Sequence, residues 1–159
     1  MFRSPNGPLI EAVKLMFNAE ASRKVLRLVI KMPKITVQTN ISVSYYQQQK
    51  ITADLKQVIE LIPREKGTYL MMDYEGSKAL HFGDDPRKPC ACVQIYLLKK
   101  VLDTTDELCL EAVLAAVSLV IAKHTAIPED RIYVFYQTSE MWAYEGKSIA
   151  KTFFSQRQK

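Results

Sequence analysis

The 159-residue sequence predicts an α/β fold of two layers, built from two βαβ units that repeat one another. Three observations carry this. Hydrophobic spacing passes from alternation to the helical period and back in each half. The pairs Ile62-Pro63 and Ile127-Pro128 stand at matching places, each closing a helical stretch just before a strand. Met32-Pro33 separates a turn-rich, basic start from everything that follows.

The elements follow in order. Residues 34–41, Lys-Ile-Thr-Val-Gln-Thr-Asn-Ile, alternate polar and apolar with β-branched side chains, which suits a half-buried strand. Ser44 with Gln47 three positions on makes a capping box, and Ile51, Leu55, Val58, Ile59 and Ile62 then recur at helical spacing up to Pro63. Residues 68–75, with Tyr69, Leu70, Met71, Met72 and Tyr74, read as a buried strand.

The second half repeats the order. A turn at 84–89 leads into a strand from Cys90 to Leu98, with Cys92, Gln94 and Tyr96 on the face opposite Val93 and Ile95. Thr104 with Glu107 predicts a second capping box and a helix over 105–124, and residues 132–137 are again strand-like. Right-handed crossovers are expected in both units. Between Leu108 and Ala122 only Glu111 and Ser118 are polar, so that helix is apolar almost all round. Such a helix needs cover on more than one side, from the N-terminal segment or from another subunit, and it predicts an oligomer.

Three parts are expected: a basic amphipathic extension over 1–32, one domain over 33–150, and a short basic tail over 151–159. In the extension Leu9, Val13, Met16, Phe17, Ala21, Val25 and Leu28 fall at helical spacing. It reads as a docking or membrane-surface helix, as a transit peptide, or as upstream sequence missing from the mature protein. Its two acidic residues weaken the transit reading.

Net charge is +5, but residues 1–32 hold six basic groups against two acidic ones, leaving 16 basic and 15 acidic in the other 127. A near-neutral body offers no basic face for phosphates, so nucleic acid is not the expected partner. No run of about 20 apolar residues occurs, and no membrane span is expected. Cys90, Cys92 and Cys109 make an odd count without the spacing of a disulfide scaffold. They predict free thiols and a cytoplasmic protein, with release by a route independent of a signal peptide as the alternative.

Several chemistries lack their residues. His81, His124, Cys90 and Cys92 do not have structural-zinc spacing, so no metal is expected, and nothing calls for a cofactor. Asp73, Glu75, Asp84, Asp85 and Asp106 form no spaced acid and base pair. There is no phosphate-cradling glycine loop, nucleophile elbow or His-Glu-x-x-His. What remains is the proline heading the first strand, a position where proline is ordinarily just tolerated.

Four separated pieces give that proline another weight: Met32-Pro33-Lys-Ile-Thr-Val-Gln-Thr-Asn40; Phe82-Gly83 with Lys88-Pro89-Cys90-Ala91; Ile127-Pro128-Glu-Asp-Arg-Ile-Tyr-Val134; and Trp142-Ala-Tyr-Glu-Gly-Lys147. In this order, over 115 residues from Pro33 to Lys147, the chain resembles the macrophage migration inhibitory factor family of the tautomerase superfamily. The resemblance implies a four-stranded mixed sheet with two helices, closing as a homotrimer. It also implies keto-enol isomerisation of phenylpyruvate-type aromatic α-keto acids by an N-terminal proline freed when the initiating methionine is removed.

Carried over by position, Pro33 is the base and Lys66 the cation that lowers its pKa and holds the substrate carboxylate. Leu98 offers a backbone N–H, and Tyr133 arrives from a neighbouring subunit to complete an aromatic pocket. The chain departs from the family in three places. Phe135 replaces the mammalian cytokine's asparagine, which makes the pocket more apolar. The loop around Lys66 is one residue shorter before Tyr69. Cys90-Ala-Cys92 is one residue too tight for the cytokine's Cys-x-x-Cys, so no thiol oxidoreductase role carries over.

The mechanism requires an amine. If residues 1–32 remain attached, the Pro33 nitrogen is a tertiary amide without a basic lone pair. Either translation starts at Met32 and its removal exposes Pro33, or the extended protein is a non-catalytic, cytokine-like trimeric binder acting through a protein receptor.

Overall fold

The computed structural model describes residues 33–63 and 65–148. The proposed extension and basic tail therefore lie outside the described residues. From Pro33 to Glu140 the order is β1 (Lys34–Thr39), α1 (Tyr45–Ile59), β2 (Met71–Glu75), β3 (Ala91–Leu98), α2 (Lys99–Thr104), α3 (Glu107–His124) and β4 (Ile132–Ser139). Short 3-10 turns over Gly67–Tyr69 and Glu129–Arg131 lead into β2 and β4. The strands form one mixed sheet in the order β2-β1-β3-β4. β1 pairs parallel with β2 and antiparallel with β3, and β3 pairs parallel with β4, so each βαβ unit supplies one parallel pair.

The register sorts side chains onto two faces. Ile35, Val37, Val93 and Ile95 are fully buried or nearly so, whereas Lys34, Gln38, Gln94 and Tyr96 on the other face are half-buried. Two tyrosines identify the helix side. Tyr74, level with Val37, bonds the Thr52 hydroxyl at 2.8 Å and donates to the Gln48 carbonyl of α1 at 2.9 Å. Tyr136, level with Ile95, donates to the Leu110 carbonyl of α3 at 2.8 Å. Burial raises the pKa of both phenols, which keeps them neutral donors.

The capping box at Ser44 forms as predicted: its hydroxyl accepts from Gln47 N while the Gln47 side chain accepts from Ser44 N. Ile51, Leu55 and Ile59 carry the buried stripe of α1, and Ile62 is buried just past the helix end. The second predicted box does not form. Asp106 caps α3 by accepting from Leu108 N at 2.8 Å, and the Thr104 hydroxyl instead bonds Lys100 O within α2. Residues 99–104 thus form a third helix beyond the two expected.

The expected buried strand over 68–75 is also revised. A 3-10 turn occupies Gly67–Tyr69, and β2 is a half-exposed edge strand because only β1 flanks it.

The amphipathic character of α3 is clearer in three dimensions than in sequence. Val113, Val117, Val120 and Ile121 are buried, while Leu108, Ala112, Ala115 and Leu119 form an exposed apolar stripe at helical spacing. Its C-terminal end is fastened to α1 by polar contacts. The Asp54 carboxylate lies 2.7 Å from His124 Nε2 and 3.2 Å from Lys123 Nζ, and Gln47 donates to the His124 carbonyl. These partners hold the Asp54 carboxyl below its usual pKa, with the His124 hydrogen bond the largest cause.

Residues 141–148 form a separate small element. β5 (Ala143–Tyr144) and β6 (Lys147–Ser148) pair antiparallel across Glu145 and Gly146, both with positive φ, as the tightest hairpins require. No helix among the described residues is long and apolar enough to cross a membrane.

Candidate active site

Pro33 is buried and immediately precedes β1, one of the two central strands. Its carbonyl accepts from Met71 N at 3.0 Å, which fastens it to the first residue of β2. Lys34 pairs with Tyr96, so the antiparallel register carried one step further sets Pro33 across from Leu97, with Leu98 next along β3. Pro33, Met71 and Leu98 therefore mark one end of the sheet. The ammonium of Lys34 lies 3.8 Å from the Asp73 carboxylate and 5.3 Å from the centre of the Tyr96 ring.

Lys66 is exposed on the loop entering β2, and its carbonyl closes the 3-10 turn by accepting from Tyr69 N. Its ammonium makes no hydrogen bond or ion pair with a described residue. The side chain this loop buries is the preceding one: Glu65 is 5% exposed, and its Oε2 has no hydrogen-bond partner among the described residues. Burial pushes the Glu65 carboxyl up to about 8, so it carries a proton at neutral pH.

The loop's course is tightly set. A Cβ on Gly67 would stand 2.6 Å from the Lys56 carbonyl oxygen, and Gly67 N donates to the Glu60 carboxylate at 3.0 Å. Glu65 escaped sequence reasoning because a carboxylate after Pro63-Arg64 has no periodicity around it and looks like an ordinary loop residue. The one signal was the shortened loop.

Tyr133 and Phe135 lie elsewhere. Tyr133 is level with Cys92 and Phe135 with Gln94, both on the face turned away from the helices. Within one protomer Tyr133 is thus at the opposite end of the sheet from Pro33. It is 64% exposed but held, with its ring edge-on to Phe82 at 5.1 Å between centres. The Arg131 guanidinium covers Phe82 at 5.0 Å and donates to the carbonyls of Asp85, Lys88 and Pro89. Asn40 braces the same loop, donating to Lys88 O and accepting from Cys90 N, both at 2.8 Å. Motif residues Asn40, Phe82 and Arg131 therefore act as braces in this structure.

An open groove of about 690 Å³ runs along α1 beside β2, lined among others by Thr52, Lys56, Glu60, Thr68 and Tyr74. None of the sequence-predicted site residues lines it. No group of three or more potential metal-ligating side chains occurs among the described residues.

No family model matches the chain, and no curated protein does. Solved structures match closely in shape. Leishmania major MIF2 superposes with a TM-score of 0.66 at 17% identity, covering 74% of this chain and 97% of that one. The macrophage migration inhibitory factor homologue from Prochlorococcus marinus gives 0.62 at 19%, over 73% and 98%. A fused 4-OT asymmetric trimer gives 0.62 at 12%, over 76% and 98%. The chain has the fold shared by macrophage migration inhibitory factors and the tautomerase superfamily.

Proposed function

We propose that this chain, which has the tautomerase-superfamily fold, is an isomerase that interconverts the keto and enol forms of phenylpyruvate-type α-keto acids with Pro33 as its base. The observation that carries the reading is the placement of Pro33: buried, heading a central strand, and fixed through its carbonyl to Met71. A secondary amine in water is largely protonated at neutral pH, and burial favours the neutral, basic form. The rigid ring on a rigid strand sets the direction of its lone pair once Met32 is removed.

In this reading Lys66 supplies the positive charge for the substrate carboxylate and Leu98 a backbone N–H. Tyr133 and Phe135 of a neighbouring copy wall the pocket with aromatic surface. This reading takes the protein as a homotrimer and needs more than one copy, since Tyr133 and Pro33 lie apart along the sheet of one protomer. The odd number and the spacing of Cys90, Cys92 and Cys109 favour a cytoplasmic setting.

The test is the intact mass and N-terminal residue of the protein purified from its own source, with a phenylpyruvate assay on the same preparation. A chain beginning at Pro33 that isomerises phenylpyruvate, and loses this in Pro33→Gly, is the expected result. A chain retaining residues 1–32 overturns the prolyl mechanism and favours the receptor-binding reading.

A further inference from the structure

Enolisation needs two partners: a base for the proton on carbon, and a donor for the oxygen on which negative charge grows. Pro33 is the base in the function proposed above, and the inference here rests on that reading. Of the residues carried over for the pocket walls, only Tyr133 carries a donor, its hydroxyl, and it comes from a neighbouring copy. Phe135 has no polar atom, and the Tyr133 ring is held edge-on to Phe82, so within one protomer the Pro33 end of the sheet needs a donor of its own.

We propose that Glu65 is the proton donor to the enol oxygen. Its Oε2 is buried and unpartnered among the described residues, and burying such an atom costs stability unless something bonds it. The loop carrying it enters β2 at Met71, whose N–H holds the Pro33 carbonyl, so Glu65 belongs to the Pro33 end of the sheet. Gly67 fixes the loop against Lys56, and Glu60 holds it through Gly67 N. The charged groups on the elements packed here are Lys56 and Glu60 of α1, Lys34 of β1, Asp73 of β2 and the loop's own Lys66. None is hydrogen-bonded to Glu65. A carboxyl raised to about 8 by burial holds its proton at neutral pH and gives it up readily to a developing enolate.

The step balances. The α-carbon loses its proton to the Pro33 nitrogen, the C–H pair becomes the C=C bond, and the carbonyl π pair moves onto oxygen. That oxygen takes the proton from Glu65, leaving a carboxylate. Water then returns the proton from Pro33 to Glu65, so the enzyme is unchanged.

Glu65→Gln and Glu65→Leu, made in the protein as its own source processes it, test the assignment through phenylpyruvate kinetics from about pH 5 to about pH 10. Parent activity is expected to fall as the pH passes about 8, where Glu65 ionises. Glu65→Gln, of the same shape, is expected to lose about 100-fold in kcat with little change in KM, and to lack that alkaline limb. Should Glu65→Gln keep the parent kcat and pH profile while Pro33→Gly is inactive, the Glu65 role fails and the prolyl reading stands. A parent inactive at every pH overturns both. If Glu65→Leu does not fold, the Gln variant decides alone.

Discussion

Pro33 and Tyr133 stand at opposite ends of the same sheet. Tyr133 is level with Cys92, Cys92 with Gln38, and Gln38 lies five residues along β1 from Pro33. At about 3.3 Å per residue that is roughly 17 Å along the strands alone. A site using both residues therefore draws them from different copies, which makes it testable by mixing subunits. Co-assembling Pro33→Gly with Tyr133→Ala chains, each inactive alone, is expected to restore about one competent site in four by random assortment. No recovery in co-purified mixed oligomers would overturn the shared site.

Gly67 has a packing reason to be glycine. Its φ is unexceptional, but a methyl group there would collide with the Lys56 backbone. Gly67→Ala is expected to cost about 1–3 kcal/mol, read as a lowered denaturation midpoint. An unchanged midpoint would mean that the loop does not pack on α1 as described.

Glu65 makes a stability prediction independent of any activity. Burial pushes the Glu65 carboxyl up to about 8, well above the ordinary glutamate range that applies in the unfolded chain. Between these pH values the unfolded chain has released the proton and the folded chain still holds it, so stability falls as pH rises and levels off above about 8. Glu65→Gln is expected to flatten that slope and to be the more stable protein at neutral pH. Parallel stability curves for the two proteins over this range would refute the burial.

Arg131 serves three carbonyls and an aromatic ring at once, which a lysine cannot do. Arg131→Lys is expected to speed amide exchange through residues 82–90 by about tenfold while leaving β1 unchanged. Equal protection in both proteins would remove Arg131 as the brace of this loop and of the Phe82-Tyr133 contact.

The elements legible in sequence were those with a strong local signal. Alternation gave β1 and β3 with their faces, and the Ser44-Gln47 box gave the start of α1. The start of α3 was misplaced by two residues, since Thr104, Thr105 and Asp106 are all competent caps and only the fold selects Asp106. The apolar stretch over 68–75 looked buried because composition does not reveal that a strand is at an edge. In the candidate site Pro33 was singled out through its motif. The burial of Glu65 was not legible, because the loop's course is set by packing such as that of Gly67 on Lys56, eleven residues away, which leaves no trace in local pattern.

The strand order also governs which part of the molecule opens first. β1 and β3 are bonded on both sides, while β2 and β4 each have one neighbour. Native-state fluctuations release edge strands at lower free energy than strands clamped between two others. The loop bearing Glu65 and Lys66 leads into the edge strand β2, whereas Pro33 heads the clamped strand β1. The fold thereby sets the head of a clamped strand, at Pro33, beside an edge that opens more readily, so amide exchange is expected to be faster along β2 than along β1.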